Sequence, residues 1–375
     1  MVIQSCKAAV IGTLFVGAFG FLVLSAKPQT TEDQTNTRIA DPAAVPDRPA
    51  AANRSGPCTQ DDTLSRRVDF AELDRARHVL GHRDEWARQL SNFDLGVRQK
   101  TTGPTSLQQF LAFAENAGLR WTTQEQAGWR ALVDKLSYAM KDLNLHVPNI
   151  DLVKTTGKEE FDGAYTRERA IMFPQSAASA PATVPRRAYF LLAHEMFHAL
   201  SRADSGLRDD LYALLGFRKV KRFEYPTELE ERRISNPDSF EYLHTLTVQS
   251  ESGNVDVLPV IQSLLPLNEV IQLPDFFAAL DIVLLSVNTR TGEVRRDGNG
   301  KLIKYNFGNT NWVPLMLRNS SYIIQPEEVL ADNFATLMEW RSDGFLPPAN
   351  PDGFPVNDVN LLVAIQDVLT TGCRR

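Results

Sequence analysis

The sequence predicts an α+β fold in which helix outweighs strand. Three observations carry that expectation. Apolar residues recur at helical spacing towards both ends of the folded part. Two short stretches near residues 150 and 170 are rich in β-branched and aromatic residues. The elements run as helices, then a few strands, then helices, without the alternation of a βαβ repeat. A chain of 375 residues with 43% hydrophobic and 23% charged residues can bury a sizeable core. Its net charge of −6 excludes a nucleic-acid protein built on a dominant basic face. Cys6, Cys58 and Cys373 are its three cysteines, too few for a zinc-finger array or a disulfide-dense scaffold.

Residues 8–26 carry no charge. As a helix they would rise about 28 Å, close to the hydrocarbon thickness of a bilayer. They read as a signal peptide or as an uncleaved N-terminal membrane anchor. The run exceeds the usual apolar region of a signal peptide, about 7–15 residues. Leu24 would also fill a position where cleavage near Ala26 wants a small side chain, so the anchor is the preferred reading. Either way the rest of the chain is exported, to the periplasm or cell envelope. Residues 27–57 hold five prolines and no aromatic residue. Such a stretch buries too little apolar surface to offset its ordering entropy and reads as a disordered linker. Residues 58–375 are then the folded domain.

Within it, residues 70–92, 107–117 and 123–143 carry helical spacing. Residues 149–154 and 164–173 read as strands joined by a glycine-containing turn. Residues 189–200 form a strongly apolar helix and 208–217 a second one. Residues 276–285 are densely apolar, too short to span a membrane, and read as core. Residues 281–288 and 301–306 suggest a hairpin around the turn-rich DGNG at 297–300. Residues 327–340 and 358–370 close the chain as helices.

The chemistry concentrates in PRRAYFLLAHEMFHALS, residues 185–201. Pro185 suits a first helical turn, with Thr183 as N-cap. From Tyr189 onward nearly every residue is apolar except His194, Glu195, His198 and Ser201. A helix apolar all round is buried, and ionisable groups inside it need partners. His194 and His198 stand at i and i+4 and share one face. That spacing lets two imidazoles hold one Zn²⁺, with Glu195 beside them to hold a water, as in the HExxH motif. A pair of hydrogen-bonded core histidines is the plainer alternative.

A catalytic zinc commonly takes a third protein ligand. Asp204 lies where metzincins carry theirs, but Ser201 replaces the glycine of that pattern and no Met-turn follows. Glu328 is favoured. It lies in YIIQPEEVLADNFATLMEW, where Pro326 marks a helix start and Glu328 and Asp332 share a face. Leu330, Phe334 and Leu337 fall on the opposite face, and Ala331 and Ala335 would let another helix approach. Asp332 can then accept a hydrogen bond from a ligating histidine. Glu228 and Glu230 are further candidates.

HEMFH followed by a helical Glu-x-x-x-Asp resembles the gluzincins, the thermolysin-like zinc peptidases. The resemblance implies a zincin-like catalytic domain with an HExxH helix, a small sheet and a second helix carrying Glu328. It implies His194, His198 and Glu328 as zinc ligands, Glu195 as general base and Asp332 as the carboxylate behind a ligand. More narrowly, AYTRERAIMFP, HEMFHALS with LRDDLYALLGF, ELEERRISNPD and SSYIIQPEEVLADNF are similar to a family of uncharacterised bacterial zinc metallopeptidases. These segments cover most of residues 150–340. His198 and Glu328 stand much farther apart than in thermolysin, so a long insertion must be folded around the site.

The expected activity is hydrolysis of a peptide or protein substrate. Tyr322, Tyr225 and His244 are candidates to stabilise the oxyanion. The strand at 164–173 precedes the zinc helix, as the cleft-edge strand does in gluzincins, and could take an extended peptide by strand addition. Rival readings are a zinc-stabilised binding protein without turnover and a zinc hydrolase of a non-peptide or cell-wall amide. No nucleotide-binding glycine motif, CxxC pattern or serine-hydrolase signature is present. A disulfide between Cys58 and Cys373 is expected of an exported domain whose termini meet.

Overall fold

Local capping decides where the first helices begin and end. In the computed structural model, which describes residues 64–371, the helical stretch expected over 70–92 is broken. The chain begins with β1 (Val68–Phe70), then α1 (Leu73–Gly81), α2 (Glu85–Arg88) and α3 (Asn92–Arg98). Asp84 accepts a hydrogen bond from the Ala87 amide, and Ser91 forms a capping box with Asp94. Each of these two caps starts a new helix, so the expected stretch holds α1 and α2 and ends where α3 begins. Helix α4 (Leu107–Glu115), strand β2 (Gly118–Leu119) and helix α5 (Thr123–Ala139) follow. The expected N-terminal segment, the linker and all three cysteines lie outside the described residues.

Residues 164–173 are two strands, not one. A turn at Glu168, in the left-handed region at φ 48°, folds β4 (Tyr165–Arg167) back onto β5 (Ala170–Pro174). Strand β3 (Ile150–Thr155) pairs with β5 in parallel, so the two expected strands are not a turn-joined antiparallel pair. The first sheet runs β1-β3-β5-β4, with β2 sharing the β1 edge of β3. Strand β4 is the edge nearest the candidate site.

Single turns α6 (Gln175–Ala178) and α7 (Ala180–Thr183) lead into α8 (Pro185–Ala203). Pro185 does occupy the first helical turn, but Val184 is the N-cap. Thr183 closes α7, and its hydroxyl donates to the Ser179 carbonyl at 3.3 Å. Helix α9 (Ser205–Leu214) follows. A second, antiparallel sheet then has the order β10-β9-β8-β7-β6. Its strands are β6 (Arg218–Lys219), β7 (His244–Ser250), β8 (Gly253–Ser263), β9 (Leu280–Ser286) and β10 (Lys304–Tyr305), with α10 (Leu267–Val270) between β8 and β9. The hairpin around 297–300 is present as β9 and β10.

Helices α11 (Trp312–Met316), α12 (Pro326–Asp343) and α13 (Val359–Thr371) complete the chain. Pro326 opens α12 and Gly344, at φ 78°, ends it in the left-handed conformation that needs no Cβ. Helix α12 is buried on every side, not on one face. It packs antiparallel along α8, as the pairs Arg186–Glu339, Tyr189–Met338, His194–Asp332 and Ser201–Glu327 record. Helix α8 thus lies between α12 and strands β4 and β5 of the first sheet. The fold is α+β, with a main core that joins the first sheet, helices α5, α8, α9, α12 and α13, and one side of the second sheet.

Candidate metal centre

Helical spacing on α8 sets the first half of the centre. The rings of His194 and His198 lie 4.8 Å apart and nearly perpendicular, at 82°. Helix α12 supplies the second half. A Glu328 carboxylate oxygen lies 3.2 Å from His194 Nε2 and 3.6 Å from His198 Nε2. The three donor atoms all fall within 4.8 Å of one another. A tetrahedral ion with bonds of about 2.0–2.1 Å holds its ligand atoms about 3.3 Å apart. The two edges to Glu328, 3.2 and 3.6 Å, therefore suit one small ion. A further sign is chemical: His198 Nε2 is buried and has no hydrogen-bond partner. An orphaned buried nitrogen is costly unless something else fills that direction.

The other ring nitrogens are held. His194 Nδ1 donates to Asp332 at 2.9 Å, and His198 Nδ1 donates to Glu327 at 3.0 Å. Carboxylates only accept, so each contact keeps the proton on Nδ1 and turns Nε2 towards Glu328. Both carboxylates are fixed in turn. Asp332 accepts from the Ser320 hydroxyl at 2.5 Å. Glu327 accepts from Ser201 at 2.5 Å and from the Tyr212 hydroxyl at 2.6 Å. The second oxygen of Glu328 accepts from the Asn236 amide at 2.5 Å.

Glu195 adjoins the cluster: one of its carboxylate oxygens, a His198 ring nitrogen and an Asp238 carboxylate oxygen all lie within 4.8 Å of one another. Its carboxylate accepts from the Thr166 hydroxyl at 2.9 Å. Burial, joined by the charge of Asp238, pushes the Glu195 carboxyl up to about 7, against the pull of His198, His194 and Thr166. Burial and the charge of Glu328 likewise raise Asp238. Burial also opposes charge on Glu328, but His198, His194 and Asn236 outweigh it and hold that carboxyl low. For His194, burial works against the cation, yet the hydrogen bonds to Asp332 and Glu328 hold the imidazole above its ordinary range.

Strand β4 does not present a free edge at Thr166. The Thr166 amide donates to Asp238 at 2.7 Å, and its carbonyl accepts from Arg202 at 3.0 Å. Asp238 and Arg202 of α8 thus occupy the groups that strand addition would use there, which corrects the expectation of a peptide-binding edge at Thr166.

Several sequence candidates lie elsewhere. Asp204 caps α9 by accepting from the Leu207 amide at 2.9 Å. Glu228 pairs with Arg296 at 2.6 Å and Glu230 with Arg233 at 3.1 Å. None of the three joins the cluster. Tyr225 packs with Phe223, Tyr242 and Arg233 in a separate apolar cluster. His244 Nε2 donates to Asp209 at 2.9 Å, and its ring packs on Tyr212, one residue removed from Glu327. Tyr322 alone of the proposed oxyanion donors adjoins the centre, its ring 6.3 Å from that of His194. Sequence reasoning missed Glu327, Asn236, Asp238 and Thr166. The doubled glutamate was the available signal for Glu327. The other three reach the site only through tertiary folding.

If the cluster holds a metal ion, replacing Asp332 or Glu327 with alanine is expected to weaken its affinity about 10–100-fold, since each fixes a candidate ligand ring. Glu327→Ala should also cost about 1–3 kcal/mol of stability, because it strips partners from two buried hydroxyls. Chelator competition and thermal melts measure both effects, and unchanged metal retention in both variants would refute the role. No protein-family model, curated protein or solved structure matches this chain.

Proposed function

We propose that the protein is a zinc-dependent metallopeptidase of the gluzincin kind, acting on peptide or protein substrates. One observation supports the reading: the buried Nε2 of His198, without a hydrogen-bond partner, lies 3.6 Å from the Glu328 oxygen that is 3.2 Å from His194 Nε2. Two imidazoles and one carboxylate are a donor set that suits zinc and leaves a fourth position open. His194, His198 and Glu328 would hold the ion, with Asp332 and Glu327 fixing the rings. When bound, zinc would polarise a substrate carbonyl and acidify a water.

The chain's own residues supply the rest. Glu195 takes the proton of the attacking water and passes it to the leaving amine. Thr166 orients the carboxylate for that transfer. Tyr322 stays protonated, because burial and the charges of Glu328 and Asp238 oppose its ionisation. Its phenol is therefore a donor for the developing oxyanion. Export fits the reading, with residues 8–26 as signal peptide or anchor and the centre in the periplasm or cell envelope. Among the described residues no helix is long and apolar enough to cross a membrane.

The test pairs elemental analysis with digestion of a proteome-derived peptide pool. One zinc per chain with defined cleavage products is the expected result. Zinc without cleavage of peptides or cell-wall fragments would favour the non-catalytic binding protein. Cleavage confined to cell-wall fragments would favour the amide hydrolase. A protein that takes up no zinc would overturn the proposal.

A further inference from the structure

The segment 233–238 is held from two sides. The Ser235 amide and hydroxyl donate to the two oxygens of Asp94 on α3, at 2.8 and 2.9 Å, and the Ser235 carbonyl accepts from Arg98 at 2.8 Å. Asp94 and Arg98 are buried, and Arg98 is paired further with Glu160, whose two oxygens accept at 2.6 and 2.8 Å. From α8, Arg202 donates to the carbonyls of Pro237 and Asp238, at 2.9 and 3.1 Å. Buried bonds to charged groups are strong, so the residue between these anchors is kept in one place. That residue is Asn236. Its partners also orient its amide. The Oδ1 atom accepts from the Asp238 amide at 3.0 Å. The Nδ2 group donates to Gln325 Oε1 at 3.0 Å and to Glu328 Oε1 at 2.5 Å. Gln325 is oriented in turn, because its own Nε2 donates to the Ser239 carbonyl at 3.0 Å. The other oxygen of Glu328 is the one that lies 3.2 Å from His194 Nε2 and 3.6 Å from His198 Nε2.

We propose that Asn236 is a positioning residue that holds Glu328 to a single ligating oxygen and so keeps the fourth position of the centre open. The inference rests on the reading of the cluster as a metal centre. A carboxylate can bind a metal through one oxygen or through both. With both, Glu328 would fill the position that a catalytic site leaves free. The last torsion of a glutamate is soft and does not by itself choose between the two. Among the described residues, the hydrogen bond that draws the second oxygen away from the histidines is the one from Asn236. Loss of that amide leaves all three ligands in place, so affinity for the ion should persist while access to it falls. A residue that merely supported the fold would affect both or neither. The helices α2 and α3, which contribute no ligand, then have a task at the centre: they anchor Ser235, and through it the amide that disciplines Glu328.

The test uses the full chain loaded with cobalt, whose visible spectrum reports coordination geometry, and azide as a small anion that probes the open position. Azide is expected to shift the spectrum of the unmodified protein. Asn236→Ala and Asn236→Leu are both uncharged and lack the donor. They should bind cobalt within about 3-fold of the unmodified protein or more tightly, and azide at least about 10-fold more weakly. Thermal melts check folding. Leucine keeps bulk where alanine does not, and one folded variant suffices. Azide affinity changed by less than about 10-fold in a folded variant would overturn the role of Asn236 and leave the metal centre standing. Cobalt and azide affinity lost together, or unfolding of both variants, would make Asn236 a support of the fold and overturn the proposal as well. An unmodified protein that binds cobalt but not azide has no open position, which also overturns it. An unmodified protein that takes up no cobalt would overturn the metal reading and the proposal with it. Failure to cleave peptides in any of these samples bears on the peptidase reading alone.

Discussion

Glu195→Gln is expected to lower kcat/KM for peptide hydrolysis about 10²–10⁴-fold while zinc content stays the same. The substitution keeps the shape of the side chain. The Thr166 hydroxyl, which donates to the carboxylate at 2.9 Å, can donate equally well to an amide oxygen. What the variant lacks is a group able to take a proton from water. Stability should hold or rise, because a buried carboxylate facing Asp238 is replaced by a neutral group. That combination separates a catalytic role from a structural one. A structural carboxylate would lose melting temperature and activity together. Activity in the variant within about 10-fold of the parent would remove Glu195 as the base.

Metal removal should have the larger effect on stability. Two imidazoles and the carboxylates of Glu327, Glu328 and Asp332 converge between α8 and α12, with Glu195 and Asp238 close by. A dication at their centre balances charge that burial otherwise penalises. Free zinc at about 1,000 times its Kd stabilises by about 4 kcal/mol. For a domain of this size that raises Tm by roughly 6 °C. Chelator should reverse the shift, and Glu328→Ala should not respond to zinc at the same concentration. Magnesium should have no comparable effect, because it demands octahedral oxygen coordination. Identical melting curves with and without chelator would exclude zinc bound at this cluster.

The parts of this arrangement that were legible in the sequence are those fixed by one helix. His194, Glu195 and His198 follow from helical geometry, and Glu328 with Asp332 follows from the same spacing on a second helix. Ala331 and Ala335, the small residues expected to allow a close helix, are both fully buried. Glu327 was hidden because its role depends on Tyr212 and Ser201, hydroxyls from two other helices. Asn236 and Asp238 arrive on a loop that no local pattern could direct to the site. The strands β7 and β8 also escaped notice. Pro259 interrupts the second of them, and proline argues against an interior strand. The register removes the conflict: pairing with β7 ends at Val257, so Pro259 faces a ladder partner, Leu284, on one side only. Capping chemistry at Asp84 and Ser91 was visible in the sequence but outweighed there by apolar periodicity.

The two halves of the centre lie 134 residues apart along the chain, from His194 to Glu328. That distance has a consequence for how the molecule is made. A chain synthesised from its N-terminus displays the histidine pair long before the carboxylate that faces it exists. Closing so long a loop is among the slow events of folding, because its entropy must be surrendered before any contact repays it. The second sheet and its hairpins lie within that loop and can form while it is still open. Docking of α12 against α8 therefore belongs to the end of the folding reaction, and full-strength metal capture with it. Zinc uptake would report that synthesis has passed α12, and a translation product truncated before α12 would hold its histidines without retaining the ion.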